Sequence, residues 1–384
     1  MRHPRILATL AVFLLAPAAL AAATPPAQSA TRERPSLAIT NVRIFDGTRV
    51  IPRGTVVVSG RLITAVGPRV RVPAGVAVVD GRGATLLPGL IDAHTHTWGD
   101  ALTRAAVFGV TTELDMFTVP AFAQVMRAEQ AGTGAPGRAD LFSAGFLATA
   151  PGGHGTEYGM PVPTLTTPAE AQSWVDARLA EGSDYIKIIS EDGSSYGRSI
   201  PTLDRDTIAA LVAAAHQRGK LAVVHVSTEA RAEEALAAGA DGLAHVFDDR
   251  PPEQAFVDLA VEDKAFVVAT LTVVESTSGV ASGHALPDDP RLAPYLLPSE
   301  VDNLRTAFPL HGQPRFQNAL DAVRRLRDAR VSILAGTDAP NPGTTHGASI
   351  HRELELLVSA GLTPVQALAA ATAVPAKAFH LTDR

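Results

Sequence analysis

From residue 84 onward, apolar runs of strand length alternate with helical stretches, and this alternation constrains the fold more than any other feature of the chain. Strand-like runs lie at 84–93, 110–116, 140–148, 184–190, 221–226, 242–247, 265–273 and 331–337. Between many of them stand stretches such as PAEAQSWVDARLAEG, LDRDTIAALVAAAHQRG and STEARAEEALAAGA, each running into a glycine of the kind that follows a last helical turn. Eight strands with helices between them predict a (β/α)8 barrel of the TIM type over 84–384. An open doubly wound sheet shares the alternation. However, no glycine-rich phosphate loop follows any of these strands, which argues against a nucleotide-binding sheet.

The first part of the chain is built differently. LAITNVRIFDG, GTVVVSG and RLITAVG are short, β-like and separated by glycine and proline turns, which predicts a small β-domain over 37–83. Ahead of it, MRHPR supplies positive charge, ILATLAVFLLAPAALAAA an apolar core, and Ala21-Ala22-Ala23 a small-residue cleavage site. Residues 1–23 therefore read as a secretory signal peptide and 24–36 as a linker. The apolar stretch is near the length of a membrane span, but its alanines and Pro17 favour cleavage. A periplasmic or secreted protein with no stable membrane anchor after cleavage is expected.

Composition narrows the chemistry. A 384-residue chain that is 46% hydrophobic has ample material for a large core. Its net charge of -6 is spread without a long charged run, so nothing points to nucleic acid. With no cysteine, disulfides, thiolate nucleophiles and thiolate metal ligands are all excluded. Any metal must be held by His, Asp, Glu or a modified Lys.

Barrel enzymes carry their catalytic groups at the C-terminal ends of the strands. LLPGLIDAHTHTWGD places His94 and His96 at the first such end. Alternate residues of a strand share a face, so the two imidazoles project side by side, a natural ligand pair for a metal. YIKII carries Lys187, LAVVHV carries His225, GLAHVF carries His245, and ILAGTDAP ends at Asp338. Each has a plainer reading: a hydrogen-bonded core histidine, or an aspartate capping a helix. A buried lysine is rarer, because burying charge is costly. The six falling at equivalent ends of the proposed strands is what points to a metal site.

The chain here resembles the amidohydrolase superfamily over about residues 37–384, most of all the branch of imidazolonepropionase-related and Xaa-Pro dipeptidase-like enzymes. PGLIDAHTH carries the resemblance, as does GTDAPNPGTTHG followed by ELELLVSAGLTPVQALAAATAVPAKAF. The resemblance implies a metal centre at the strand ends. His94 and His96 match the ligands of one ion, and His225 and His245 those of a second. Lys187 matches a lysine carboxylated by CO2 whose carbamate bridges the two, and Asp338 matches an acid that is both ligand and proton shuttle. The presence of Lys187 favours the binuclear subtype, since mononuclear relatives lack it. Zinc is the first choice for a sulfur-free donor set, with manganese, cobalt or iron as alternatives. The implied reaction is attack by a metal-bridging hydroxide on an amide carbonyl of a dipeptide, N-acyl amino acid or cyclic amide, with Asp338 passing the proton to the leaving nitrogen. An ester, lactone or phosphotriester hydrolase, and a non-catalytic or truncated relative, are the alternatives.

A second tier of residues is expected to face substrate. APGGHGTEYG after the third strand carries His154, a candidate to stabilise the oxyanion or grip a carboxylate, and Tyr158. SEDGSSYGRS after the fourth carries Tyr196 and Arg198, suited to a carboxylate. His346, in NPGTTHGAS, is expected near the site. His216, His284, His311, His351 and His380 have no supporting pattern and read as surface or packing residues. Relatives of this type continue with strands that complete the N-terminal β-domain. The sequence stops at Arg384, so that domain is expected to lack its C-terminal strands and to expose edges open to a homo-oligomeric contact.

Overall fold

The computed structural model describes residues 35–132, 137–308 and 315–382. The expected signal peptide at 1–23, the linker up to residue 34, and His311 lie outside the described residues. The last two residues assigned to the linker, Pro35 and Ser36, already belong to a strand.

Five strands form the N-terminal sheet: β1 (Pro35–Phe45), β2 (Val50–Ser59), β3 (Leu62–Gly67), β4 (Ala77–Asp80) and β5 (Thr85–Leu86). Their order is β3-β2-β1-β4, with β5 also pairing β1. The β1–β2 turn is set by Asp46, whose Oδ1 accepts the amides of Thr48 and Arg49 at 3.0 and 2.9 Å. Val42, Ile44 and Val56 form the buried side of this sheet. On its outer strands Leu62, Ile63, Val78 and Val79 are exposed.

Eight further strands follow: β6 (Leu90–Thr95), β7 (Val110–Asp115), β8 (Asp140–Ser143), β9 (Ile186–Ile189), β10 (Ala222–His225), β11 (Gly242–Ala244), β12 (Phe266–Val268) and β13 (Ser332–Leu334). They pair in parallel as β6-β7-β8 and as β9-β10-β11-β12-β13. Two seams join these arcs. Beyond β8, Ala148 bridges to Ile188, its amide bonding Lys187 O at 2.8 Å and its carbonyl accepting Ile189 N at 2.9 Å. Beside β6, Thr95 bridges to Ala339, and the amides of Ala93 and His96 bond Ala335 O and Ala339 O at 2.9 and 2.8 Å. The hydrogen bonding thus runs round a ring, the (β/α)8 barrel.

Side-chain alternation sorts the barrel strands into two faces. Ile186, Ile188, Ala222, Val224, Leu243, Val267 and Ile333 pack outward against the helices. Tyr185, Val223, Ala244, Phe266, Val268 and Leu334 fill the interior together with Phe379 and Leu381. The helices begin where the sequence places caps: Asp204 Oδ1 accepts Thr207 N at 2.7 Å, and Thr363 Oγ1 accepts Gln366 N at 3.2 Å.

Two expected strands are divided. Residues 84–93 do not run as one, because Pro88 lacks an amide and Gly89 packs against Thr111, where an added Cβ would lie 2.0 Å from Oγ1. Thr85–Leu86 therefore joins the N-terminal sheet and β6 starts at Leu90. Residues 265–273 do not either: β12 stops at Val268, Thr270 turns left-handed at φ 45°, and Leu271–Thr277 is a helix. The buried Glu353 carboxylate accepts the first amides of that helix, Leu271 N at 3.0 Å and Thr272 N at 2.8 Å.

Candidate metal centre and active site

The two histidines of the DAHTH run stand at the C-terminal end of β6, their ring centroids 5.4 Å apart. Asp338, beyond β13, places Oδ1 2.8 Å from His96 Nε2 and 3.3 Å from His94 Nε2. Neither contact is a directed hydrogen bond, and Oδ1 has no hydrogen-bond partner among the described residues. The three donor atoms converge on a point instead, all lying within 4.8 Å of one another, which is how ligands surround an ion. His94, His96 and Asp338 are therefore the residues that could hold a metal.

The other expected ligands extend this cluster. The His94 and His245 rings are 4.5 Å apart, and those of His245 and His225 4.7 Å. Lys187 pairs in register with the interior residue Val223 and lies two positions after Tyr185, so its side chain enters the barrel. Its Nζ is buried and has no hydrogen-bond partner among the described residues. Burial pushes this amine down to about 7. Burial also holds the imidazoles neutral: His225 is lowered to about 4, and His94 and His245 fall well below the ordinary histidine range. Neutral imidazole is the form that binds a metal.

The backbone aims these groups. Ala244 faces the interior, so plain alternation would turn His245 toward the helices; a left-handed φ of 77° brings it back to the cavity. Thr270 Oγ1 then holds His245 Nδ1 at 2.8 Å. Asp338 is left-handed as well, at φ 56°. Such conformations persist where the surroundings impose them, as at functional sites. Asp92 ties β6 to β13, its carboxylate accepting Thr337 Oγ1 at 2.6 Å, Thr337 N at 3.0 Å and His94 N at 3.3 Å. Burial pushes Asp92 up to about 7. Asp115 braces the next turn, accepting Thr97 N at 2.7 Å and Ser143 Oγ at 2.5 Å.

All six expected ligands line one cavity of about 790 Å3, along with His154, Tyr158, Tyr196 and Arg198. His154 Nδ1 meets Glu157 Oε1 at 2.7 Å, and its ring lies 4.8 Å from that of His225. Tyr158 packs near Phe117, with 5.9 Å between centroids. The Arg198 guanidinium stands 5.7 Å over the Tyr196 ring and has no ion-pair partner among the described residues. Desolvation of the hydroxyls raises both phenols above the ordinary tyrosine range, although the Tyr158 side chain as a whole is exposed, so both stay protonated and can donate.

His346 is the departure from expectation. It does not line the cavity; it is buried with Nδ1 2.9 Å from Glu113 Oε1. That carboxylate claims the ring, whose pKa is raised despite the opposing effect of burial. His216 pairs with Asp241, and His351 with the Phe108 carbonyl, in keeping with packing roles. Sequence reading missed Asp92 and Thr270. Asp92 sits inside the DAHTH run, so a signal was present; Thr270 acts through His245, 25 positions away.

The matches to known proteins agree with this geometry. Residues 85–384 match the model of the amidohydrolase family, and 37–86 that of the NagA composite domain. The chain belongs to the amidohydrolase family, hydrolases acting on carbon–nitrogen bonds. It is 28% identical over 355 residues to an imidazolonepropionase of Deinococcus radiodurans, spanning 87% of this chain and 82% of that protein. Its fold matches a Xaa-Pro dipeptidase with methionine bound in the active site (TM-score 0.70, 22% identity, 91% of this chain and 89% of the other). A putative prolidase from Bifidobacterium longum is similar to the same degree (TM-score 0.71, 24% identity, 91% and 84% covered). At these identities the structural likeness speaks for the fold.

Proposed function

We propose that the protein is a binuclear metal-dependent amidohydrolase that cleaves an amide in a small molecule: a dipeptide, an N-acyl amino acid or a cyclic amide. The observation that carries this reading is Lys187, a buried amine without a hydrogen-bond partner among the described residues, lining the same cavity as His94, His96, His225 and His245. An unpaired buried amine is costly. The same amine, held neutral, is the form that reacts with CO2, and the carbamate so formed is an anionic oxygen donor.

The donor set fits two divalent ions. His94, His96 and Asp338 would hold one, His225 and His245 the other, and carboxylated Lys187 both. Nitrogen and oxygen donors without sulfur suit zinc, and also manganese, cobalt or iron. When bound, the ions would polarise the scissile carbonyl and make water nucleophilic at neutral pH. Asp338 takes the proton of the attacking water and delivers it to the leaving nitrogen. His154, whose Nδ1–H is taken by the Glu157 carboxylate, donates its other N–H to the carbonyl oxygen as charge develops when the ring is in its protonated, imidazolium form. Arg198, without an ion-pair partner among the described residues, binds a substrate carboxylate. We infer from the leader-like N-terminus that this chemistry takes place after export; sequencing the N-terminus of the mature protein from cell fractions tests that point.

The reading is tested by elemental analysis of the purified chain followed by a substrate panel. About two ions per chain, with hydrolysis of Xaa-Pro dipeptides or N-acyl amino acids, is the expected result. One ion per chain would reduce Lys187 to a structural group, and turnover of lactones or phosphotriesters but not amides would reject the amide assignment.

A further inference from the structure

Three histidines of the site, His96, His245 and His225, each have a nitrogen facing a wall group, and those groups differ. His96 Nδ1 faces the Phe117 carbonyl at 3.4 Å, and His245 Nδ1 faces the Thr270 hydroxyl at 2.8 Å. His225 faces a carboxylate: its Nε2 lies 3.6 Å from Glu191 Oε2. Both atoms are sealed from solvent, and neither has a hydrogen-bond partner among the described residues. The Glu191 side chain is only 1% exposed.

Glu191 is also pinned. Gly193 N donates to its Oε1 at 2.5 Å, and its own amide donates to Thr202 Oγ1 at 3.0 Å. The first bond leaves Oε2 as the free oxygen, directed at the ring. A buried carboxylate facing the bare lone pair of a neutral imidazole would be repelled, so Nε2 carries the proton. His225 lines the cavity and its Nε2 is sealed from solvent, so Nδ1 is the nitrogen left for a ligand.

We propose that Glu191 is a positioning residue of the metal centre: its carboxylate takes the Nε2–H of His225, fixes the tautomer that offers Nδ1 to the second ion, and adds negative charge behind that ligand. A carboxylate behind a ligating histidine orients the ring and raises its basicity, and its loss commonly costs about 10- to 100-fold in metal affinity. The proposal rests on the binuclear reading above. It adds a residue that neither the strand-end pattern nor the ligand cluster contains.

The test uses the full chain, stripped with a chelator and titrated with Zn2+ or Co2+ in bicarbonate buffer, as wild type and as Glu191→Gln. Glutamine keeps the shape and an acceptor oxygen but removes the charge. The expected result is an unchanged first ion, a second ion bound roughly 10- to 100-fold more weakly, altered visible absorption of the second Co2+, and an unchanged melting temperature of the stripped protein. Wild-type affinity for both ions in Glu191→Gln would overturn the role of Glu191 while leaving the binuclear reading intact. A stripped variant that melts lower, or does not fold, would overturn it in favour of a packing role. A wild-type chain that takes up no second ion would overturn both.

Discussion

At the barrel rim, Lys187, His94, His225 and Asp338 hold buried polar atoms with no hydrogen-bond partner among the described residues. In the N-terminal sheet the pattern is reversed. There Asn41 pairs with Asp80 and Arg43 with Thr85, while Leu62 and Ile63 stand 66% exposed. The two departures differ in cost. Leaving a buried donor or acceptor unsatisfied costs about 1–3 kcal/mol per group, whereas single exposed apolar side chains are common on protein surfaces. The rim therefore carries a concentrated cost that a ligand can relieve, and the sheet carries a diffuse one with no chemistry attached.

The sharpest way to break this contrast is at Asp338. Asp338→Asn should lower kcat by roughly 100- to 10,000-fold, the range for loss of a general acid–base group. Near wild-type turnover in steady-state assays would remove the proton-shuttle role.

Lys187→Met should reduce bound metal from about two ions to one and abolish most activity. It also carries a pH signature. In the metal-free folded protein the amine titrates near 7 rather than at its ordinary 10.5. Between those values the unfolded chain binds a proton that the folded chain does not, so metal-free stability rises with pH across that window. Denaturation of stripped protein from pH 7 to 10 should show this slope in wild type and a flatter one in Lys187→Met. A common slope would mean that the lysine is solvated.

A smaller effect is expected at Gly336, between β13 and Asp338. An added Cβ would lie 2.5 Å from Val268 Cγ1 and 2.9 Å from His94 N. Gly336→Ala should destabilise the fold by about 1–3 kcal/mol, as overpacking does, and displace His94, read as a lower melting temperature together with weaker binding of the first ion. At the other end of the scale, Leu62→Lys or Ile63→Lys should change stability by less than about 0.5 kcal/mol and leave kcat/KM untouched. A large loss at either position would show that this edge is covered in solution, which gel filtration of the two variants would reveal.

How far the sequence foretold all this depends on the type of signal. Lys187 and His225 were legible because they interrupt apolar strands at the right parity, and period-two alternation is a local property. Asp338 follows the same logic, two positions on from Gly336 and four from the interior residue Leu334. His245 shared the strand-end pattern, but alternation alone would have sent it outward; the left-handed turn that redirects it is stabilised by tertiary contacts such as Thr270. Glu191 was opaque, being one polar residue in a polar loop whose meaning comes from a ring on the next strand. The division of residues 84–93 was half legible, since Pro88 and Gly89 announce a break but not which sheet each side joins. His346 was legible only as a residue near Asp338 whose role could be structural, because proximity in the chain says nothing about Glu113, the group that claims it.

The seam between β6 and β13 has a bearing on how the molecule matures. Asp92 and Thr337, which lock that seam, are 245 positions apart. His94 and His96 emerge from the ribosome well before their carboxylate mate, which follows more than two hundred residues later. Contacts of such long range form late, after the loop-closure entropy has been met. An ion captured by the histidine pair alone would be loosely held, and tight retention would begin only when the last strand docks. Metal retention by nascent or truncated chains would then serve as a clock for barrel closure.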